Sequence, residues 1–412
     1  MRADLLITGI SQLVTAEGAR AKRGRQMSEL RVIEDAAIAI SAGRFTWVGP
    51  VRDWVGTAEK VIDVGGVAVL PGIVDPHTHA VWAGDRLSDF QARTAGKSYE
   101  EILLAGGGIR STVRATAAAS VEELMRLARP RVNALTRSGA TTIEVKSGYG
   151  FSVEGELKSL EAIEYLAAEM KERRGARIVA TLLVHLPPKD DAGRADYVDE
   201  VCARLIPDVT TRALASAVDV FVEREAWDVA EAERICVCAK KHGLAVKLHS
   251  DQFHRIGGVE LGVRIGALSV DHLEAAGERE IDALAKSETI ATVLPGVSLH
   301  LGIPAAPGRK LIDAGAAVAV GTDLNPGSSP LYSSAAALGL AVRMNGLSAQ
   351  EAVVAGTVNA ACALGLSDRG RLEAGCVADF LVLEARDWRE LVYVMGANAV
   401  REVWIGGRRV EE

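Results

Sequence analysis

Between residues 67 and 322 the chain repeats one pattern, a short apolar run, a loop and an amphipathic stretch, and no other feature limits its fold so tightly. Eight candidate strands can be read: VAVLPGIVD (67–75), ATTIEVK (140–146), RIVATLLVH (177–185), ASAVDVFV (215–222), LAVKLH (244–249), ALSVDH (267–272), TIATVL (289–294) and AAVAVGTD (316–323). Between them, stretches such as EGELKSLEAIEYLAAEMKER (154–173) and AWDVAEAERICVCAKKHG (226–243) repeat apolar residues at threes and fours, the period of one helix face. Eight such units predict an α/β protein built on a (β/α)8 barrel over residues 67–374. Two helical stretches, SSPLYSSAAALGLAVRMN and SAQEAVVAGTVNAACALGL, follow the last strand.

The ends of the chain differ. Residues 1–66 carry short β-rich runs such as ADLLITGI and AAIAISAGRFTWVG, and residues 375–412 return to that texture in CVADFLVLEA and AVREVWIGGRRV. The two ends are expected to pair into one small β-domain. A hydrophobic content of 49% with 41 glycines suits many short buried strands and excludes disorder. A net charge of −7 argues against a surface built for nucleic-acid phosphates, and the basic run RAKRGR (20–25) is read as a solvated loop. MRADLLITGI reads as a first strand rather than a secretory signal, and no run reaches the roughly 18 apolar residues of a membrane helix. Five cysteines, an odd number, point to free thiols and a reducing cytoplasm.

Chemistry concentrates at the strand ends. The segment PGIVDPHTH (71–79) delivers His77 and His79 at a spacing of two, which on a strand puts both imidazoles on one face, able to grip one metal ion. Lys146, His185, His249, His272 and Asp323 stand at the C-terminal tips of other candidate strands, where barrel enzymes collect their reacting groups. His77, His79, His249 and Asp323 make a mixed nitrogen and oxygen set for one Zn²⁺ or Fe²⁺, with a position open for water. Such an ion lowers the pKa of its water to about 7, so the implied reaction is hydrolysis.

Each residue also has a bland reading. His185 and His272 could be satisfied strand-end histidines, Asp323 could cap a helix beginning near Ser328, and Asp75 could merely orient a neighbour. Their clustering favours the functional reading, whereas His242, His254 and His300 read as bland. Lys146 lies on the second strand, early for a bridging carboxylated lysine, which favours a single ion. Cys236 and Cys238 read as packing, and GGGIRST (106–112) lacks the lysine of a phosphate loop. Arg86, in WAGDRLSDF, and Tyr149, in KSGYG, fall on loops at the expected mouth, where a guanidinium fork suits a carboxylate. The competing reading of Arg86 is an ion pair with Asp85 or Asp89.

Together these strings resemble the metal-dependent amidohydrolases, and within them the branch that opens an imidazolone ring in histidine degradation. The general likeness rests on PGIVDPHTH, the strand ends at His249, His272 and Asp323, and the paired chain ends. The specific likeness rests on DR…F…RTAGKSYEEI…GGGI (85–109), EVKSGYG (144–150), KLHSDQ (247–252) and TDLNPGSSP (322–330), and it covers nearly the whole chain. The resemblance implies hydrolysis of the cyclic amide of 4-imidazolone-5-propanoate to N-formimidoyl-L-glutamate by a metal-activated water. It implies His77, His79, His249 and Asp323 as ligands of one divalent ion, Asp323 as proton shuttle and His272 as oxyanion support. It implies substrate contacts from Arg86, Tyr149, His185, Gln252, Asn325, Gly327 and Ser328, with Arg86 and Tyr149 on the propanoate arm.

Two departures bear on these roles. Gln252 cannot act as a carboxylate base, which moves acid/base work to Asp323, and LLVHLPPKD (182–190) is one residue shorter than the family's Ala-His-x-x-Pro-Pro-Glu pattern around His185. The alternative within the fold is a deaminase or another cyclic-amide hydrolase. A silent binding barrel would be favoured by a missing ligand, and none is missing. The partners expected are a small-molecule substrate and a second copy in a homodimer, with neither nucleic acid nor membrane.

Overall fold

The computed structural model describes residues 2–97, 101, 106–188 and 191–411, so the middle of RTAGKSYEEI…GGGI and the end of LLVHLPPKD lie outside the described residues. The chain opens with β1 (Arg2–Val14), β2 (Val32–Ser41), β3 (Arg44–Pro50) and β4 (Thr57–Pro71). It continues through β5 (Ile73–Asp75), β6 (Ala140–Lys146), β7 (Arg177–Val184), β8 (Ala217–Val222), β9 (Ala245–Ser250), β10 (Ser269–His272), β11 (Ile290–Val293) and β12 (Val318–Val320). It closes with β13 (Phe380–Leu383), β14 (Val400–Ile405) and β15 (Arg408–Arg409). β5 to β12 line up in chain order as an eight-stranded parallel sheet, and the strands of the two ends form a seven-stranded sheet in the order β15-β14-β13-β4-β1-β2-β3. The expected α/β barrel with an appended sheet from both chain ends is the architecture observed.

The strand expected over 67–75 divides at Gly72. Up to Pro71 the chain pairs with β13, Pro71 opposite Phe380, and from Ile73 it pairs with β6, Ile73 opposite Ala140. Gly72 permits the crossing because a Cβ there would lie 2.3 Å from Thr141 Oγ1. Residues 67–71 therefore serve the end sheet, not the barrel. That sheet encloses its own core, including Ile7, Phe45, Val69 and Phe380, with Phe380 stacked on Trp404 at a centroid separation of 5.1 Å. A larger apolar cluster, with Leu135, Ile163, Trp227, Leu248 and Val354, packs the helices against the outside of the barrel.

The helices expected at 154–173 and 226–243 run Val153–Glu172 and Val229–Lys241, each begun by a side-chain cap, Ser152 and Asp228. After β12 the first stretch forms Ser334–Met344, and the second breaks at Thr357 into Ala349–Ala355 and Val358–Ala363. Asp323 caps no helix at Ser328; the next helix is capped by Ser333. In the basic run 20–25, Arg20 and Arg25 are exposed as expected of a solvated loop, but the middle of the run is docked. Arg23 donates to the carbonyls of Leu284, Ala285 and Ser287 at the C-terminus of the helix Glu278–Ala285, where a cation is favoured, and the backbone of Lys22 exchanges bonds with the Asn359 amide.

No ladder joins β12 to β5. The ring is instead closed beyond their ends, where His79 N donates to Leu324 O and Asp323 N to His77 O, both at 2.9 Å, and Thr78 bridges Leu324. Just below, Asp75 accepts from Thr322 N at 3.1 Å, Thr322 Oγ1 at 2.7 Å and Ser334 Oγ at 3.0 Å. The same segments close the barrel and carry the candidate site.

Candidate active site

His77 and His79 follow the end of β5 in extended chain, His249 is the penultimate residue of β9, and Asp323 lies three residues past β12. Their polar atoms converge: Asp323 Oδ1 is 3.4 Å from His77 Nε2 and 3.1 Å from His79 Nε2, and His249 Nε2 is 3.4 Å from His79 Nε2. The outer ring nitrogens explain the inner ones. His77 Nδ1 meets Asp271 Oδ2 at 2.6 Å and His249 Nδ1 meets Asp219 Oδ1 at 2.9 Å. A carboxylate only accepts, so both Nδ1 atoms carry the proton and both Nε2 atoms present lone pairs inward. Two acceptors, His77 Nε2 and Asp323 Oδ1, therefore face each other with no proton of their own, and His249 Nε2 turns a third lone pair towards His79 Nε2, whose single proton cannot serve both Asp323 and His249. His77 Nε2, His79 Nδ1 and Asp323 Oδ1 have no hydrogen-bond partner although buried.

A cation resolves that conflict, and the donor set of imidazole nitrogens with one carboxylate suits zinc or iron. Charge agrees. The buried carboxylates Glu144, Asp219, Asp271 and Asp323 outnumber the buried ammonium groups of Lys146 and Lys247, an excess of negative charge that a cation offsets. Burial lowers the imidazoles of His79 and His249, keeping them neutral. Burial opposes ionisation of Asp323, yet His77 and His79 hold its carboxyl well below the usual range. His272 also approaches His77 and His249, with ring centroids 5.7 and 5.3 Å away. Its surroundings differ: burial alone would lower it, but Glu274, Asp323 and Asp271 outweigh that and raise it.

Lys146 does not reach the histidines as a ligand would. Its Nζ sits 2.7 Å from both Glu144 Oε2 and Asp219 Oδ2, and Lys247 Nζ lies 3.0 Å from Glu144 Oε1 and 3.4 Å from Asp271 Oδ2. Burial would raise the carboxyls of Asp219 and Asp271, but the first is held well down by His249 and Lys146 and the second by Lys247 and His77. The orienting carboxylates Asp219 and Asp271 escaped the reading of the sequence. Their signal was present as a single acidic residue inside an otherwise apolar run, in AVDVFV and in ALSVDH.

The remaining candidates surround this centre. Asn325 Nδ2 donates to Asp323 Oδ2 at 2.9 Å and Ser328 Oγ lies 3.4 Å from the same oxygen, while Gly327 N and Ser328 N both donate to Asn325 Oδ1 at 2.8 Å. These residues orient Asp323 directly. Arg86 Nε pairs with Asp89, as the bland reading had it, but the guanidinium is nearly buried and its Nη1 lies against Gly327, where a Cβ would be 3.1 Å away. Tyr149, buried and with its phenol pushed up by burial, approaches His79 at 6.1 Å between ring centroids. His185 stacks on His79 at 5.9 Å, and burial with His79 lowers it to about 3. Gln252 is buried on the loop after β9, whose next two amides, Phe253 and His254, are held by Glu223 Oε2 at 2.9 and 3.1 Å. His254 pairs with Glu223 and His300 with Arg93, away from the centre.

The chain matches the amidohydrolase family model over residues 97–411. It is 59% identical over 408 residues to the imidazolonepropionase of Deinococcus radiodurans, covering 99% of this chain and 100% of the relative. It is 44% identical over 406 residues to that of Rubrobacter xylanophilus, covering 97% and 96%. Among solved structures it is similar to an adenosine deaminase from Xanthomonas campestris with bound zinc, at a TM-score of 0.72 and 21% identity over 99% of this chain and 93% of that one. A triazine hydrolase variant gives a TM-score of 0.73 at 19% identity, covering 98% and 94%; both likenesses speak to the fold. With near-complete coverage at such identity, and with a centre of converging acceptors at the mouth of the barrel, the chain belongs to the imidazolonepropionases of the amidohydrolase family and is a hydrolase.

Proposed function

We propose that this hydrolase opens the cyclic amide of 4-imidazolone-5-propanoate to N-formimidoyl-L-glutamate in histidine degradation, with one zinc or iron ion held by His77, His79, His249 and Asp323. The observation that carries the metal site is the set of buried acceptors facing one another around Asp323 Oδ1. When bound, a divalent ion supplies the Lewis acidity that lets water ionise near neutral pH. Asp323 takes the proton from the attacking water and returns it to the ring nitrogen as the carbon–nitrogen bond breaks, which balances the hydrolysis. His272, whose ring lies 5.3 Å from that of His249, stabilises negative charge developing on the carbonyl oxygen. Arg86 and Tyr149 hold the propanoate arm, and His185, Gln252 and the turn of Asn325, Gly327 and Ser328 shape the pocket around the ring.

A cytoplasmic location accords with five free cysteines, and no helix among the described residues is long and apolar enough to cross a membrane. Homodimer formation belongs to the same proposal and is read by sedimentation. The decisive experiment measures metal content of the purified protein beside its turnover of imidazolone propanoate. One zinc or iron per chain, lost together with activity in His249→Ala, is the expected result; full occupancy and parental turnover in that variant would overturn the ligand set.

A further inference from the structure

We infer that Glu156 is a positioning residue that fastens the loop 147–151 and thereby sets Tyr149 and His185 against the substrate. The inference rests on the reading of Tyr149 and His185 as substrate contacts given above. Glu156 lies in the first turn of the helix Val153–Glu172 and is buried. Both its oxygens are engaged by the loop: Gly148 N donates to Oε2 at 2.7 Å, Gly150 N to Oε1 at 2.7 Å and Phe151 N to Oε1 at 3.1 Å. All three partners donate and so favour the ionised carboxylate, against the burial that raises its pKa. The chain neighbours of Tyr149 on both sides are thus held by one carboxylate.

The same contact reaches His185. The carbonyl of Gly148 accepts from His185 Nδ1 at 3.2 Å, which orients the ring and leaves Nε2 as an acceptor. There is little slack in this arrangement. Gly148 has φ +107° and a Cβ there would lie 2.6 Å from Leu183, while a Cβ at Gly150 would lie 2.2 Å from the carbonyl carbon of Gly155. The loop therefore docks backbone to backbone on the helix start. That helix is already capped, by Ser152 Oγ accepting from Gly155 N at 3.1 Å, so the three bonds to Glu156 serve the loop rather than the helix.

The test compares Glu156→Gln, Tyr149→Phe and the double variant by steady-state kinetics, metal content and melting temperature. Losing the bond to Gly148 is expected to raise KM about tenfold with kcat within about threefold of parental and metal content unchanged. A purely structural role would instead reduce the active fraction, lowering kcat at constant KM, and would overturn the inference. Because Glu156 acts through Tyr149 as well as His185, the double variant should fall short of the product of the two single effects; full additivity would overturn the inference. If Tyr149→Phe leaves KM unchanged, the substrate reading of Tyr149 fails and this inference with it. If Tyr149→Phe raises KM and Glu156→Gln does not, the inference alone fails. Glu156→Asp, which keeps the charge but withdraws it by one methylene, is read in the same way should the amide variant not fold.

Discussion

The interior of the barrel and the core of the end domain are both walled by β-strands and both shut off from water, yet they are filled with opposite chemistry. Between the end strands lie Ile7, Phe45, Val69 and Phe380. Inside the barrel lie Glu144, Lys146, Asp219, Lys247 and Asp271, each 0% exposed. Burying charge is costly, and even well-paired ions roughly break even against apolar residues of the same size. The barrel must therefore draw its stability from the apolar cluster outside its strands, while its interior holds His77 and His249 in one orientation. The end domain carries no such constraint, so its core can be selected for packing alone. Equal burial thus stands for two different functions, and substitutions should separate them.

The largest separation is expected at Asp323. Asp323→Asn should lower turnover by about 10²–10⁴-fold, the range for loss of a positioned acid/base group. Near-parental kcat with the ion bound would break the contrast and shift the proton-transfer role to His272. Phe380→Ala tests the other side: it should cost about 3–5 kcal/mol in unfolding free energy by denaturant titration, as for a large aromatic removed from a core, with kcat/KM of the folded enzyme unchanged. A matching fall in catalysis would mean the two regions are energetically one.

Smaller effects sharpen the division inside the barrel itself. Asp219→Asn keeps the shape beside His249 but removes the negative charge that faces its Nδ1–H, and should weaken ion binding about 10–100-fold in competition with a chelator. Unchanged affinity would assign Asp219 to Lys146 alone. Smallest is Gln252→Glu, expected to retain measurable activity with an altered KM, because a side-chain amide can hydrogen-bond but has no accessible pKa for proton transfer. Abolished turnover with the ion still bound would give that position a part in the chemistry.

The barrel was legible because its strands announce themselves locally: each is an apolar run whose neighbours in the chain decide its burial. The candidate ligands were legible for a related reason, since polar residues at the tips of such runs must fall at one end of a parallel barrel whatever the exact register. Even so, Asp323 lies past the hydrogen-bonded strand, and only the closed ring shows that it and His77 tie the first strand to the last. Other features depended on partners distant in the chain. His77 and Asp271 are 194 residues apart, and nothing in SVDHLE states that its aspartate will meet that imidazole. The same holds for Arg23 on its helix end and for the change of sheets at Gly72, where a close approach to Thr141 decides the crossing. Hydrophobic period is a property of neighbouring residues, so the amino-acid sequence by itself determined the strands, the helices and the acceptors at the strand tips. Which buried charges meet is set by strand register and barrel closure, and that only the tertiary structure decided.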